Sequence, residues 1–255
     1  LIDEAVRHSI TKMSHLHFTA TDAYRNRVIQ LGEIPQKVFN VGAPGIDSIK
    51  SLKLIDRNAL TGSLGFDVTG PFIVVTYHPV TLNKDGALIA LENLLSVLAT
   101  YPDLNFIITY PNADTHNQGL ITALEAFKKE HCDQVSLVRS LGQLRYLSLL
   151  KHCEAVIGNS SSGLIEAPTF LKPTVNIGNR QGGRICGGTV INSDEDVPSI
   201  TKALIKALSK DFREKCLSEH NPYGSGGSSE RILDIIKSIS LDDLVMKKFY
   251  DGKPL

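Results

Sequence analysis

Tryptophan is absent from the 255-residue sequence and methionine occurs only twice. Aromatic residues make up 6% of the chain, so neither a base-stacking platform nor a methionine-rich groove is indicated. An excess of charge of one sign is missing too, since 27 Lys and Arg balance 27 Asp and Glu. A chain without net charge has no global attraction to nucleic acid or to an anionic membrane, and neither partner is expected. Long hydrophobic runs are lacking; none approaches the ~18 residues that span a bilayer. The four cysteines, at positions 132, 153, 186 and 216, include no C-x-x-C pair, which argues against a zinc ribbon and a thioredoxin-type redox pair. A chain of this length builds a core without disulfide staples, so reduced thiols and a cytoplasmic location are expected.

What is present is an α/β rhythm. Phe72–Thr76, Leu104–Thr109 and Ala155–Ile157 are apolar, β-branched runs, and Leu16–Ala20, Val38–Val41, Val135–Val138, Thr174–Ile177 and Val190–Ile191 form a weaker set. Runs that are apolar on both faces suit parallel strands covered by helices. Leu88, Leu91, Leu95 and Leu98 recur at helical spacing between them, as do Ile121, Leu124 and Phe127, and Leu144, Leu147 and Leu150. Strand, helix, strand in this alternation means βαβ units and a parallel sheet. The turn-rich Gly42-Ala-Pro-Gly45 marks a boundary. Residues 1–45 read as the remnant of one Rossmann-like domain, 46–240 as a second, and 241–255 as a C-terminal segment with an amphipathic helix at Leu241–Tyr250 that packs back toward the first domain.

Four loops at one end of the inferred sheet carry chemistry. Gly158-Asn-Ser-Ser-Ser-Gly163-Leu-Ile-Glu166 follows a strand and opens a helix, a geometry that offers N–H groups and hydroxyls to a phosphate. It is not a Walker loop, a nucleophile elbow or a G-x-G-x-x-G fingerprint. The plain alternative is a serine-rich helix cap. Glu166 suits the hydroxyls of a ribose, or else complements the helix dipole. Gly178-Asn-Arg180-Gln-Gly-Gly-Arg184 suits phosphate or sugar, or is a solvated turn. His78, in Thr76-Tyr-His78-Pro, suits phosphate or acid–base work, or is an ordinary loop histidine. Tyr110-Pro-Asn112-Ala-Asp114 takes the equivalent place after the next strand. Ligands of open α/β sheets bind at the carboxyl ends of the strands, so the convergence points to a nucleotide or nucleotide-sugar site. Metal chemistry has little support: His15-x-His17 shares a strand face without a third ligand, and no metal site is expected.

Together these segments resemble the UDP-N-acetylglucosamine 2-epimerase family, specifically its hydrolysing branch. The resemblance runs over nearly the whole chain, through Ile2-Asp-Glu-Ala-Val-Arg-His8, Gly42-Ala-Pro-Gly-Ile-Asp47, Tyr77-His-Pro-Val80, Pro111-Asn-Ala-Asp114, Gly158-Asn-Ser-Ser-Ser-Gly163, Gly178-Asn-Arg-Gln-Gly-Gly-Arg184 and Asn221-Pro-Tyr-Gly224. Pro79 and Gln181 stand where the non-hydrolysing branch usually carries Arg and Glu. The resemblance implies a GT-B architecture of two Rossmann-like domains, the first only partly present in this chain. It implies conversion of UDP-N-acetylglucosamine and water to N-acetylmannosamine and UDP, by elimination of UDP to a glycal and then hydration, in support of sialic-acid-type synthesis. No NAD and no tightly bound metal are implied. Ser160 and Ser161 would hold the diphosphate, Glu166 the ribose, and Leu141 and Tyr146 would flank the uracil. His78, Asn112 and Arg180 would face phosphates or sugar, Asp3 and His78 would carry acid–base roles, and Arg7 beside Asp3 and Gly163 in the serine loop would join the substrate-binding residues.

The family also carries an N-terminal sheet and a His-x-Glu-Gly-Gly-Glu loop with an acid–base glutamate, neither found here, so the chain alone is expected to be inactive. A homo-oligomer, dimer or tetramer, is expected. A UDP-2,4-diacetamido-trideoxy sugar or GDP-N-acetylglucosamine could replace the substrate. A GT-B glycosyltransferase and an inactive nucleotide-sugar-binding module are the rival readings.

Overall fold

The structure is a computed structural model that describes residues 2–79, 84–111, 118–240, 244 and 246–252. The chain divides into two compact units, Leu1–Ser51 with Pro222–Leu255, and Leu52–Asn221. It begins with α1 (Ile2–Met13), β1 (His17–Thr19), α2 (Asp22–Gln30), β2 (Val38–Asn40) and α3 (Gly45–Ser51). The second unit carries α4 (Arg57–Leu64), β3 (Phe72–Thr76), α5 (Lys84–Leu98), β4 (Asn105–Thr109), α6 (Gln118–Glu130), β5 (Val135–Val138) and α7 (Gly142–His152). It continues through β6 (Ala155–Gly158), α8 (Ser162–Ile165), β7 (Thr174–Ile177), β8 (Val190–Ser193), α9 (Val197–Leu208) and α10 (Lys210–Leu217), before α11 (Ser228–Ser238) returns to the first unit. Among the described residues no helix is long and apolar enough to cross a membrane.

In the first unit β1 and β2 pair in parallel, His17 opposite Val38 and Thr19 opposite Asn40. The polar centre is Glu33, which is 2% exposed. Its carboxylate accepts from Lys12 Nζ at 2.6 Å and Lys247 Nζ at 2.8 Å, and lies 2.8 Å from His17 Nε2. Burial alone would raise its pKa; the hydrogen bonds from Lys12, Lys247 and His17 overcome that and hold it at about 2. Burial likewise lowers the His17 pKa, against the pull of Glu33. Lys247 also donates to the carbonyls of Thr11 (3.2 Å), Lys12 (2.7 Å) and Ser14 (2.5 Å), and so satisfies acceptors that the end of α1 leaves open.

Two expectations change here. No helix covers residues 246–252; Leu241–Asp243 and Val245 lie outside the described residues. The Tyr250 N–H donates to the Gly32 carbonyl at 2.9 Å, a main-chain donor committed across the unit rather than along a helix. Residues 46–51 and 222–240, read as part of the second domain, group with the first unit. Asp47 supplies the reason. Its two carboxylate oxygens accept from the Ser228 and Ser229 N–H groups at 3.0 and 2.7 Å and cap α11 from another element. Arg231 Nη2 then donates to the Val41 carbonyl at 2.6 Å.

The second unit is a six-stranded, all-parallel sheet in the order β5-β4-β3-β6-β7-β8. Every residue of β3 and β6 is buried, as two-sided coverage by helices requires. Leu91, Leu94 and Leu98 of α5, Leu120 and Leu124 of α6, and Ile200 and Leu204 of α9 pack with Ile73, Val75, Ile108 and Ile157 in one core. Helix α4, which the apolar pattern did not reveal, is written in its ends: Asp56 Oδ1 accepts from the Ala59 N–H at 2.9 Å, and Gly65 closes the helix in the left-handed region at φ +61°. Strands β7 and β8 are joined without a helix, by the glycine-rich loop at 178–189.

Candidate functional site

The strand order reverses between β3 and β6, whose connections run to opposite sides of the sheet. Such a reversal opens a crevice at the carboxyl ends of the two strands. Thr76-Tyr77-His78 leaves β3 there, and Gly158-Asn159-Ser160-Ser161 leaves β6. The strands approach so closely that a Cβ on Gly158 would lie 2.0 Å from the Thr76 carbonyl oxygen, and Gly158 has φ +135°. Only glycine fits such a position.

Asn159 organises the crevice. It is fully buried. Its side chain accepts from the His78 N–H at 2.7 Å and donates to the His78 carbonyl at 2.8 Å. Its own carbonyl accepts from Arg180 Nη1 at 3.0 Å and Gln181 Nε2 at 2.7 Å. His78, Ser160, Ser161 and Arg180, expected separately from the sequence, are thus brought together on one residue or its neighbours. Sequence reading passed over Asn159, and took Gln181 as a mark of the hydrolysing branch without giving it a part in the site. The signal available was an uncharged amide between Gly158 and Ser160, where a loop facing only solvent has no need of one.

Ser160 and Ser161 are half-buried. Ser160 Oγ accepts from the Ser162 N–H at 3.3 Å, whereas Ser161 makes no side-chain cap to α8. The helix expected after this loop is short: α8 ends at Ile165 and a 3-10 turn, Ala167–Phe170, follows. Pro168 supplies no N–H and breaks the ladder. Glu166 therefore sits at the junction of the two turns rather than in a second helical turn, and a one-turn helix adds little dipole to the loop. Gly163 is buried, and a Cβ there would lie 2.6 Å from Thr174 Cγ2. Its place is set by packing on β7.

Tyr146 projects from α7 and donates to Ser162 Oγ at 2.8 Å. Burial pushes its hydroxyl up to about 12, with the Glu166 carboxylate adding to the shift. Leu141, which precedes α7, is buried. Leu141, Tyr146 and Glu166 thus belong to the β5 and β6 connections of the same sheet. Asp3 and Arg7 belong to α1 of the first unit. Arg7 is exposed and pairs with Glu4, while the side chain of Asp3 lies outside the described residues, as does Asn112. Beside the β7 loop a cavity of about 700 Å³ is lined by Asn176, Gln181, Arg184, Asn192, Asp194 and Glu195. Tyr77 closes against it, its hydroxyl donating to Glu195 Oε1 at 3.2 Å. Among the described residues no group of His, Cys, Asp and Glu could hold a metal ion.

A parallel sheet with this strand order and a glycine-rich crevice at its reversal defines a doubly wound, GT-B-type α/β protein. A family model described as UDP-N-acetylglucosamine 2-epimerase matches residues 1–237. The chain belongs to that family. It is 36% identical over 98% of its length to the GDP/UDP-N,N'-diacetylbacillosamine 2-epimerase (hydrolyzing) of Campylobacter jejuni, of which it covers 65%. It is 38% identical over 98% of its length to the polysialic acid biosynthesis protein P7 of Escherichia coli, of which it covers 63%. The crystal structure of UDP-GlcNAc 2-epimerase from Neisseria meningitidis bound to UDP-GlcNAc superposes with a TM-score of 0.69 at 20% identity, over 90% of this chain and 62% of that one. The chain thus spans just under two thirds of the length of these relatives.

Proposed function

We propose that the chain serves a hydrolysing nucleotide-sugar 2-epimerase, with UDP-N-acetylglucosamine as substrate and N-acetylmannosamine and UDP as products. Family membership supports the enzyme class. The single observation that carries the nucleotide site is the buried Asn159, which draws the loops of His78, Ser160–Ser161 and Arg180 to one strand-order reversal. In this reading the Ser160 and Ser161 hydroxyls and the Arg180 guanidinium meet the diphosphate, and Glu166 accepts from the ribose hydroxyls. Leu141 and Tyr146 flank the base. A base removes the C2 proton as the C1–O bond breaks and its electrons leave with UDP. Water then adds to C1 of the glycal and a proton returns to C2 on the opposite face. Asp3 and His78 are the groups proposed for these proton transfers. The amides and carboxylates of the neighbouring cavity suit sugar hydroxyls and an acetamido group.

A second substrate is favoured by a specific observation, the 2,4-diacetamido sugar named for the Campylobacter relative. A protein that carries this chain at the length of its relatives separates the two. Release of UDP from UDP-N-acetylglucosamine, with one deuterium at C2 of N-acetylmannosamine formed in D₂O, supports the first reading. Turnover confined to the diacetamido nucleotide sugar supports the second, and sugar transfer to an acceptor without free N-acetylmannosamine would overturn both. On the chain itself, Ser160→Ala with Ser161→Ala should weaken UDP binding by about 1–3 kcal/mol. Unchanged affinity by calorimetry would remove the diphosphate from this loop.

A further inference from the structure

All the polar groups of Asn159 are committed, and the pattern of those commitments has functional content. The main-chain ladder between β3 and β6 runs from Ile73 opposite Ala155 to Thr76 opposite Gly158, and its last rung is the Asn159 N–H donating to the Thr76 carbonyl at 3.1 Å. Beyond that rung the two main chains part to form the crevice. The Asn159 side chain then takes over the pairing and meets both the N–H and the carbonyl of His78. Its amide orientation is fixed by those partners, because the reverse would set oxygen against oxygen and N–H against N–H. On the other side, the Asn159 carbonyl fills its two lone pairs with Arg180 and Gln181. One buried residue therefore extends the sheet by a rung where the backbone cannot, and ties the β3 loop to the β7 loop through the β6 loop.

We infer that Asn159 is a positioning residue that holds His78, the Ser160–Ser161 loop and Arg180 in a single arrangement before any nucleotide arrives. It acts through its neighbours and touches no substrate. The inference deepens the nucleotide-site reading above and rests on it for its functional meaning. A preset arrangement spares the ligand the entropy of ordering three loops. A buried asparagine that served only the stability of the core would not need to spend both side-chain groups on the main chain of a loop residue.

The test uses the 255-residue chain with UDP as the probe. Asn159→Ala should speed exchange of the His78 amide proton by about tenfold or more, since a paired N–H loses its acceptor. It should raise the UDP dissociation constant by about tenfold, the equivalent of roughly one net hydrogen bond. The same substitution made in a His78→Ala background should raise it by a smaller factor, because the share that acts through the His78 side chain is already gone and only the share through the Ser160–Ser161 loop and Arg180 remains. Equal factors in the two backgrounds, or unchanged exchange at His78, would overturn the inference. Should Asn159→Ala fail to fold, Gln181→Leu keeps the Asn159 clamp and removes one donor from its carbonyl. It should speed exchange across residues 180–184 at a preserved melting temperature, and unchanged exchange there would count against the tie. A wild-type chain that binds no UDP would defeat the nucleotide reading, while the exchange data would still decide whether Asn159 anchors the loops.

Discussion

Gly158 and Thr76 meet so closely across the β3–β6 ladder that a methyl group on Gly158 would fall 2.0 Å from the Thr76 carbonyl oxygen. The contact is between backbone atoms, and no side-chain rotation relieves it. Gly158→Ala should therefore destabilise the second unit by about 3 kcal/mol or more, combining overlap with a strained φ. Urea unfolding of the chain measures this. A loss below about 1 kcal/mol would mean that the strands separate there at little cost.

Tyr146 and Ser162 share a hydroxyl–hydroxyl bond of 2.8 Å beneath the Ser160–Ser161 loop. Tyr146→Phe preserves the ring and removes the donor to a buried Ser162 oxygen, so a loss of about 1–2 kcal/mol is expected. Ser162→Ala removes the other partner, and the double variant should cost less than the two single losses added together. Strict additivity in a denaturant cycle would show that the bond contributes nothing.

The Glu33 cluster gives the first unit a signed response to pH. The folded-state pKa of Glu33 is depressed from 4.5 to about 2, so its contribution is complete above the unfolded value and is lost as pH falls from 4.5 toward about 2. His17 is also lowered, from 6.5; below that value the unfolded chain takes up the proton first, which again favours unfolding as pH falls. Melting temperature should decline in two stages on acidification, and Glu33→Gln should shrink the lower one, leaving the share of carboxylates such as Asp47 whose pKa is also lowered. At neutral pH that variant should lose about 3 kcal/mol, as when one partner of a buried ion pair is removed.

Asp47 caps α11 from α3, and its pKa is lowered chiefly by the hydrogen bond from the Ser229 main chain. Asp47→Ala should destabilise by about 1 kcal/mol, and Asp47→Asn should recover part of it, because an amide oxygen still accepts one N–H. Loss of exchange protection at the Ser228 and Ser229 amides would report the missing cap directly.

The parts of the fold that were legible in the sequence are those in which a periodic apolar pattern carries the structure. Phe72–Thr76 and Thr174–Ile177 are strands at those limits, because inner strands of a parallel sheet are buried on both faces. Elements defined by their ends were missed: α4 hangs on Asp56 and Gly65, and α10 on Ser209, whose hydroxyl accepts from Phe212 N–H at 3.3 Å. The tail misled for a different reason. Its Met246 and Phe249 sit at helical spacing, but Phe249 packs on Gly32 and Lys247 reaches the end of α1, contacts remote in sequence. In the candidate site, charged and hydroxyl side chains were visible, whereas Asn159 and Gln181 act on main-chain groups that no residue pattern displays.

The position of β3 bears on the order of assembly. Its β4 partner follows after one helix, but the other edge of Phe72–Thr76 cannot pair until Ala155 has been made and brought back. An apolar, β-branched edge is therefore exposed throughout synthesis of α5 to α7, and closing that long connection delays the rest of the sheet. During that interval the nascent chain presents the edge of Phe72–Thr76 to other chains, and the arrival of β6, the strand that ends at Gly158 and Asn159, is the event that shields it.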